Sequence, residues 1–338
     1  MVKNINMEES QNSCKAVSHP PFDDELKPIL HEILKKIKVP FTLDLIDKAR
    51  EAMNLGSLTD DQIRRGGAFE FEEKKIPGPE GAPSISVIVC RPRATPGPHP
   101  VIYNIHGGGM VSGNYRTAEL ARELNRAEAL QMAVVSVNYR LAPENPDPAP
   151  VEDCYAALVW LVKHSKSLKL DANRIIVSGN SAGGGLAAGV ALLARDRGGP
   201  FLIGQMLQCP MLDDRCDSFS IKQMKGVGLW ESTSNLTGWS ALLGDKRGTE
   251  SVSCYAAPAR AKNFSGLPPA FIDVGAVEAL RDEAVFYANH IWQAGGDAEL
   301  HVWSGAFHSF DQWAPDAIVS KSADQVRIDW MRRLLKRN

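Results

Sequence analysis

The chain has 338 residues, 44% of them hydrophobic and 23% charged, with a formal net charge of −2. That is the composition of an ordinary soluble globular protein, and so balanced a charge gives nucleic acid no electrostatic footprint. No apolar run is long enough to cross a bilayer. Residues 1–13 are polar, carry Glu8 and Glu9, and lack the apolar segment of a secretory signal. The six cysteines (Cys14, Cys90, Cys154, Cys209, Cys216 and Cys254) are scattered and form no CxxC pair, so neither a metal site nor a redox motif is expected, and reduced thiols in a cytoplasmic protein are.

Residues 1–20 read as a polar, disordered tail ending in a Pro-Pro pair. From residue 22 to about 65 the pattern turns helical: Leu26, Ile29, Leu30, Ile33, Leu34 and Ile37 recur at spacings of three and four, Pro40 interrupts, and Leu43, Leu45, Ile46 and Ala49 predict a second short helix. Strands are expected at 85–90, 101–105, 133–138, 174–178, 270–274 and 299–303, with helices at 118–130, 151–164, 186–195 and 281–293 and one more closing the chain. Such alternation predicts a parallel sheet covered by helices on both faces. Residues 213–248 break it with a stretch rich in Ser, Gly, Met and Trp, read as an insertion over the sheet's C-terminal edge, where these folds bind ligands. The division is therefore a tail and helical cap segment at 1–68, then an α/β domain at 69–338 holding the insertion. The closing cations, Arg332, Arg333, Lys336 and Arg337, suit a helix C-terminus.

Gly179-Asn180-Ser181-Ala182-Gly183 fits the Gly-x-Ser-x-Gly nucleophile elbow, in which small neighbours let the backbone turn sharply from strand to helix. The pentapeptide alone would arise by chance about one time in six in a chain of this composition, but here it lies between a predicted strand and a predicted helix. A phosphate-binding turn would need the Lys-Ser/Thr of a P-loop or the spacing of a dinucleotide fingerprint, and has neither. His106-Gly107-Gly108-Gly109 directly follows a predicted strand. Glycine N–H groups there, joined by that of Ala182, would face a substrate oxyanion with no side chain in the way.

The serine needs a base. Of eight histidines, His308 lies in a short loop just after the last predicted strand, where this architecture gathers catalytic groups; His301 is within that strand, His164 and His290 are on helices, and His106 suits a role bracing its loop. The acid should follow the strand at 270–274, giving the order serine, acid, histidine. Asp273 falls within that strand, Glu278 four residues beyond it, and Asp282 and Glu283 in the first turn of the next helix. Glu278 is the choice and Asp282 the next candidate.

These residues resemble the hormone-sensitive-lipase-like esterases, an α/β-hydrolase family, over about residues 101–310: the glycine tetrad, Tyr139-Arg140-Leu141-Ala142-Pro143-Glu144, Asn180-Ser181-Ala182-Gly183-Gly184 and Phe307-His308. The resemblance is greatest to small esterases and lactone hydrolases of fungi and bacteria. It implies an eight-stranded, mostly parallel sheet with a helical cap, and assigns oxyanion donation to Gly108 and Gly109 rather than Gly107. Two positions depart from the family: Asn180 stands where Asp is usual, and Glu278-Ala279-Leu280-Arg281-Asp282-Glu283 replaces Asp-Pro-Leu-x-Asp-Glu, a register that also puts glutamate on the acid. The implied function is hydrolysis of short-chain or small-molecule esters through an acyl-enzyme, with no metal or cofactor. A lactonase or metabolite deacetylase would use the same machinery, and a relative that only binds its ligand would have lost the base. Met224, Trp230 and Trp239 are candidates to line the substrate pocket, and the helix near residues 26–37 to cover it or to support a homodimer.

Overall fold

Strands rich in Ile and Val, each followed by a helix, set the architecture of the computed structural model, which describes residues 18–337; most of the expected tail lies outside the described residues. The strands are β1 (Phe69–Ile76), β2 (Ile85–Pro92), β3 (His99–Ile105), β4 (Ala133–Asn138), β5 (Leu170–Asn180), β6 (Gly204–Gln208), β7 (Ala270–Gly275) and β8 (Ala298–Trp303). They form one sheet in the order β1-β2-β4-β3-β5-β6-β7-β8. β2 pairs antiparallel with both β1 and β4, and every pairing from β4 to β8 is parallel.

The helices are α1 (Leu26–Leu34), α2 (Ile46–Leu55), α3 (Asp60–Arg64), α4 (Ala118–Leu130), α5 (Ala149–His164), α6 (Ala182–Asp196), α7 (Phe219–Gln223), α8 (Ser232–Leu243), α9 (Arg281–Gln293), α10 (Phe310–Trp313) and α11 (Ile318–Arg337). Successive strand residues point to opposite faces. On one face Val101, Tyr103 and Ile105 pack with α5, α6 and α9 through Leu158, Leu186 and Tyr287. On the other, Ile102, Val134 and Ile176 pack with α4 and α11 through Leu124 and Trp330.

Most predicted elements stand where expected, and α4, β4 and α9 match residue for residue. Two strands, β1 and β6, were not among those expected. β1 alternates Phe and Ile with Glu and Lys because it is an edge strand with a wet face, its burial falling from both ends. β6, Gly-Gln-Met-Leu-Gln, is buried throughout: Gln205 Nε2 donates to Pro268 O, and Gln208 Oε1 accepts from buried Arg126. The glycines after Ser181, read as part of a turn, lie inside α6, which begins at Ala182.

Residues 37–53 and 229–230 lie over Ser181 at the C-terminal end of β5, whereas α3 packs on β1 and α4. Leu26, Leu30 and Ile33 of α1 pack on Phe307, Phe310 and Ala314. The apolar face of that helix, considered for a second copy, is thus used within the chain. None of the helices among the described residues is long and apolar enough to cross a membrane.

Candidate active site

Ser181 sits between β5 and α6 with φ 57° and ψ −122°, a strained conformation for a residue with a side chain. The turn is tight enough to explain its glycines. A Cβ on Gly179 would lie 2.1 Å from Gly183 O, and one on Gly183 would lie 2.0 Å from Ile105 O. Hydrogen bonds from Ser181 N–H to Gln208 O (2.8 Å) and from Met211 N–H to Ser181 O (3.0 Å) fix the backbone from both sides.

The structure brings Ser181, His308 and Glu278 into one row. Ser181 Oγ lies 2.9 Å from His308 Nε2, and His308 Nδ1 lies 3.0 Å from Glu278 Oε1. The second carboxylate oxygen accepts the Gly275 N–H at 3.0 Å, which orients the group. The loops carrying Glu278 and His308 are stitched together, Ala276 N–H to Trp303 O and Val277 N–H to Ala306 O. Burial works against the charged imidazole of His308, but Cys209 and Glu278 outweigh it, and its pKa is raised well above the ordinary value.

Asp282, the other candidate acid, points elsewhere: it accepts the Ser220 N–H at 2.8 Å and fastens α7 to α9. Asp273 takes two donors of Arg327 on Oδ2, at 2.9 and 2.6 Å. Arg327 also pairs with Asp311, three residues after His308, which Arg122 holds at 2.6 Å as well. This buried ion group ties the strand before Glu278 to the segment after His308.

His106 is buried, stacks on Tyr139 with ring centroids 4.2 Å apart, and is held near Gly107 O. Burial lowers its pKa to about 4, so it braces the loop as a neutral ring. Tyr139 Oη donates to His106 O, Arg140 pairs with Asp153, and Glu144 with Arg50, which gives the Tyr139–Glu144 motif a structural role. Gly107 N–H is directed to Glu119 Oε1 at 3.3 Å; burial raises the pKa of that carboxylate. The N–H groups of Gly108, Gly109 and Ala182 have no partner among the described residues. Asn180 accepts from Ser309 Oγ at 3.0 Å and donates to Cys209 Sγ at 3.4 Å, so the amide serves at a position where the family usually has Asp.

A cavity of about 170 Å³ opens onto Ser181 and His308. Of the three cap residues singled out in the sequence, only Trp230 lines it. Its ring lies against Gly109, where an added Cβ would come within 2.7 Å of it, and beside His308, ring centroids 6.2 Å apart. Met224 instead packs with Ile221, Val277 and Ala279, and Trp239 is wholly buried in the main core; both expectations are corrected, because these side chains anchor the cap to the sheet. Ile37, at the end of the segment expected to cover the pocket, lines it together with Phe41, Ala49 and Met53. Phe41 and Met53 stood outside the amphipathic pattern read in the sequence.

The sheet order and the strand–turn–helix at Ser181 define an α/β hydrolase. Residues 102–312 match the family model of the alpha/beta hydrolase fold, and the chain belongs to its hormone-sensitive-lipase-like family. It is 33% identical over 297 residues to esterase LipI of Mycobacterium tuberculosis, covering 85% of this chain and 90% of that protein. Carboxylesterase NlhH of the same organism is 33% identical over 293 residues, 86% of this chain and 90% of its own. Among solved structures, a bacterial heroin esterase superposes with a TM-score of 0.83 at 36% identity, over 92% of this chain and 98% of that one. The chain is a carboxylesterase-type hydrolase.

Proposed function

We propose that Ser181 is the nucleophile of acyl transfer from small carboxylic esters to water, with His308 as general base and acid and Glu278 as its orienting partner. The observation that carries this reading is the unbroken row from Ser181 Oγ through both ring nitrogens of His308 to Glu278. As Oγ attacks the ester carbonyl, its proton passes to Nε2. The negative charge that develops on the carbonyl oxygen is met by the free N–H groups of Gly108, Gly109 and Ala182, an oxyanion hole in which one lost donor typically costs about 10²- to 10³-fold in rate. Nε2 then returns the proton to the departing alkoxide. A water, deprotonated by the same nitrogen, attacks the acyl-enzyme, and the acid leaves as Ser181 recovers its proton.

The helices at 18–68 and the insertion at 213–248 act as a cap over this site. A cavity of about 170 Å³ with mostly apolar walls favours short acyl chains or compact alcohols. Buried Cys90, Cys154 and Cys209, all free thiols, favour a reducing compartment such as the cytoplasm. Hydrolysis of p-nitrophenyl esters from acetate to palmitate, with wild type beside Ser181→Ala, tests the reading. Turnover that is greatest on short chains and vanishes in the variant supports it; turnover that survives the substitution overturns the nucleophile assignment.

A further inference from the structure

Just after β6, Cys209 borders the main core and places its sulfur beside the base. Sγ accepts from Asn180 at 3.4 Å and lies 3.7 Å from Ser309 Oγ. The ligand-capable atoms of Cys209, Glu278 and His308 all fall within 4.8 Å of one another, and all three residues are buried. Beside them lies a small space of about 10 Å³ whose polar lining is Cys209, Glu278, Ser309, Asp273, Asp311 and Arg327, the last paired with both aspartates, about what a single water-sized occupant needs. Asp273 is 1% exposed, and its Oδ1 has no hydrogen-bond partner among the described residues. An unanswered buried carboxylate oxygen costs free energy unless something polar meets it. Ser309 lines both this space and the substrate cavity, so the two adjoin.

We propose that this corner is an inhibitory site for a thiophilic divalent cation of the zinc type, held by Cys209 Sγ, a ring nitrogen of His308 and a carboxylate oxygen of Glu278. The proposal rests on His308 being the base of the ester reaction. Thiolate, imidazole and carboxylate are the three zinc ligand types, with bonds of about 2.0–2.3 Å. Tetrahedral ligands at those lengths stand roughly 3.3–3.8 Å apart, so shifts of about an ångström close the set, and Asp273 Oδ1 is placed to accept from a metal-bound water. Binding releases to solvent the ionisable proton that the Cys209 thiol or the His308 imidazolium carries, since the ligands must be a thiolate and a neutral imidazole. Nδ1 is the ring nitrogen that faces Glu278, and metal there leaves the ring's proton on Nε2, so no lone pair remains to accept the serine proton. Ser181 loses its base, and removing the ion restores it. Hard cations such as Mg²⁺ avoid a thiolate and should leave the enzyme untouched.

The test uses full-length, metal-free wild type and Cys209→Ser, with Zn²⁺ titrated into p-nitrophenyl acetate hydrolysis and each protein scored against its own uninhibited rate. Co²⁺ binding is followed in parallel by its near-ultraviolet thiolate charge-transfer absorption. Wild type should be inhibited at micromolar Zn²⁺, recover with chelator and ignore Mg²⁺; Cys209→Ser should need at least about tenfold more Zn²⁺, and only wild type should show the cobalt–thiolate absorption. Equal zinc sensitivity in the two proteins, or no such absorption in wild type, overturns the site. Cys209→Ala serves if the serine variant does not fold. Absent ester hydrolysis in metal-free wild type would defeat the esterase reading instead, and the cobalt spectrum would still decide whether the metal site exists.

Discussion

Helix α6, which runs from the nucleophile under the sheet, buries every residue from 182 to 194, whereas α2, which roofs the substrate cavity, buries only Ile46 of its ten. The floor of the site is fixed by close backbone packing and by the Arg327 ion group, while the roof rests on a few side chains, with Leu55 82% exposed. Segments with few buried contacts open at lower free-energy cost than the core. On the proposed mechanism the floor would set the chemistry and the roof would set which esters reach it. Changes in the floor should cost rate or folding, and changes in the roof should move selectivity.

The largest effect among variants that retain Ser181 is expected from Glu278→Gln. An amide cannot stabilise the imidazolium and favours the wrong tautomer, so kcat should fall about 10³- to 10⁴-fold with KM little changed; steady-state kinetics on p-nitrophenyl acetate read this. Next is Arg327→Met, which takes from Asp273 its ion-pair partner and leaves Asp311 to Arg122. Removing one partner of a buried ion pair typically costs about 3–5 kcal/mol, to be measured by urea unfolding. In the roof, Trp230→Ala should leave acetate turnover within about tenfold of wild type while raising relative kcat/KM on octanoate over acetate by about tenfold; an unchanged chain-length profile would show that Trp230 does not bound the acyl site. The smallest effect should come from Arg50→Ala. Arg50 ties α2 to Val111 O at 2.8 Å and to Ala142 O at 2.9 Å, besides pairing with Glu144. Its loss should lower stability by about 1–2 kcal/mol, and hydrogen exchange should rise in α2 before it rises in α6.

The same division governs what could be read from sequence. The strand–turn–helix at Ser181 was legible because such a turn imposes local composition: Gly179 and Gly183 leave no room for a Cβ. His308 and Glu278 were legible from loop position after predicted strands, although the choice against Asp282 needed the fold to show that Asp282 holds α7. β6 was not legible, since its glutamines look polar until the buried Arg126 that satisfies one of them is seen. The roof was hardest. Trp230 and Trp239 are the same residue type nine positions apart, yet one lines the cavity over Ser181 and the other lies in the core. That choice depends on how helices separated by nearly two hundred residues dock, as Phe41 N–H does on Ser234 Oγ at 2.9 Å.

Intact-protein mass spectrometry after treatment with a fluorophosphonate, followed by peptide mapping, tests the central assignment most directly. One adduct on Ser181, absent from Ser181→Ala and blocked by prior incubation with a short-chain ester, is the expected result. Full ester turnover with no adduct on Ser181, or labelling that persists in Ser181→Ala, would contradict it.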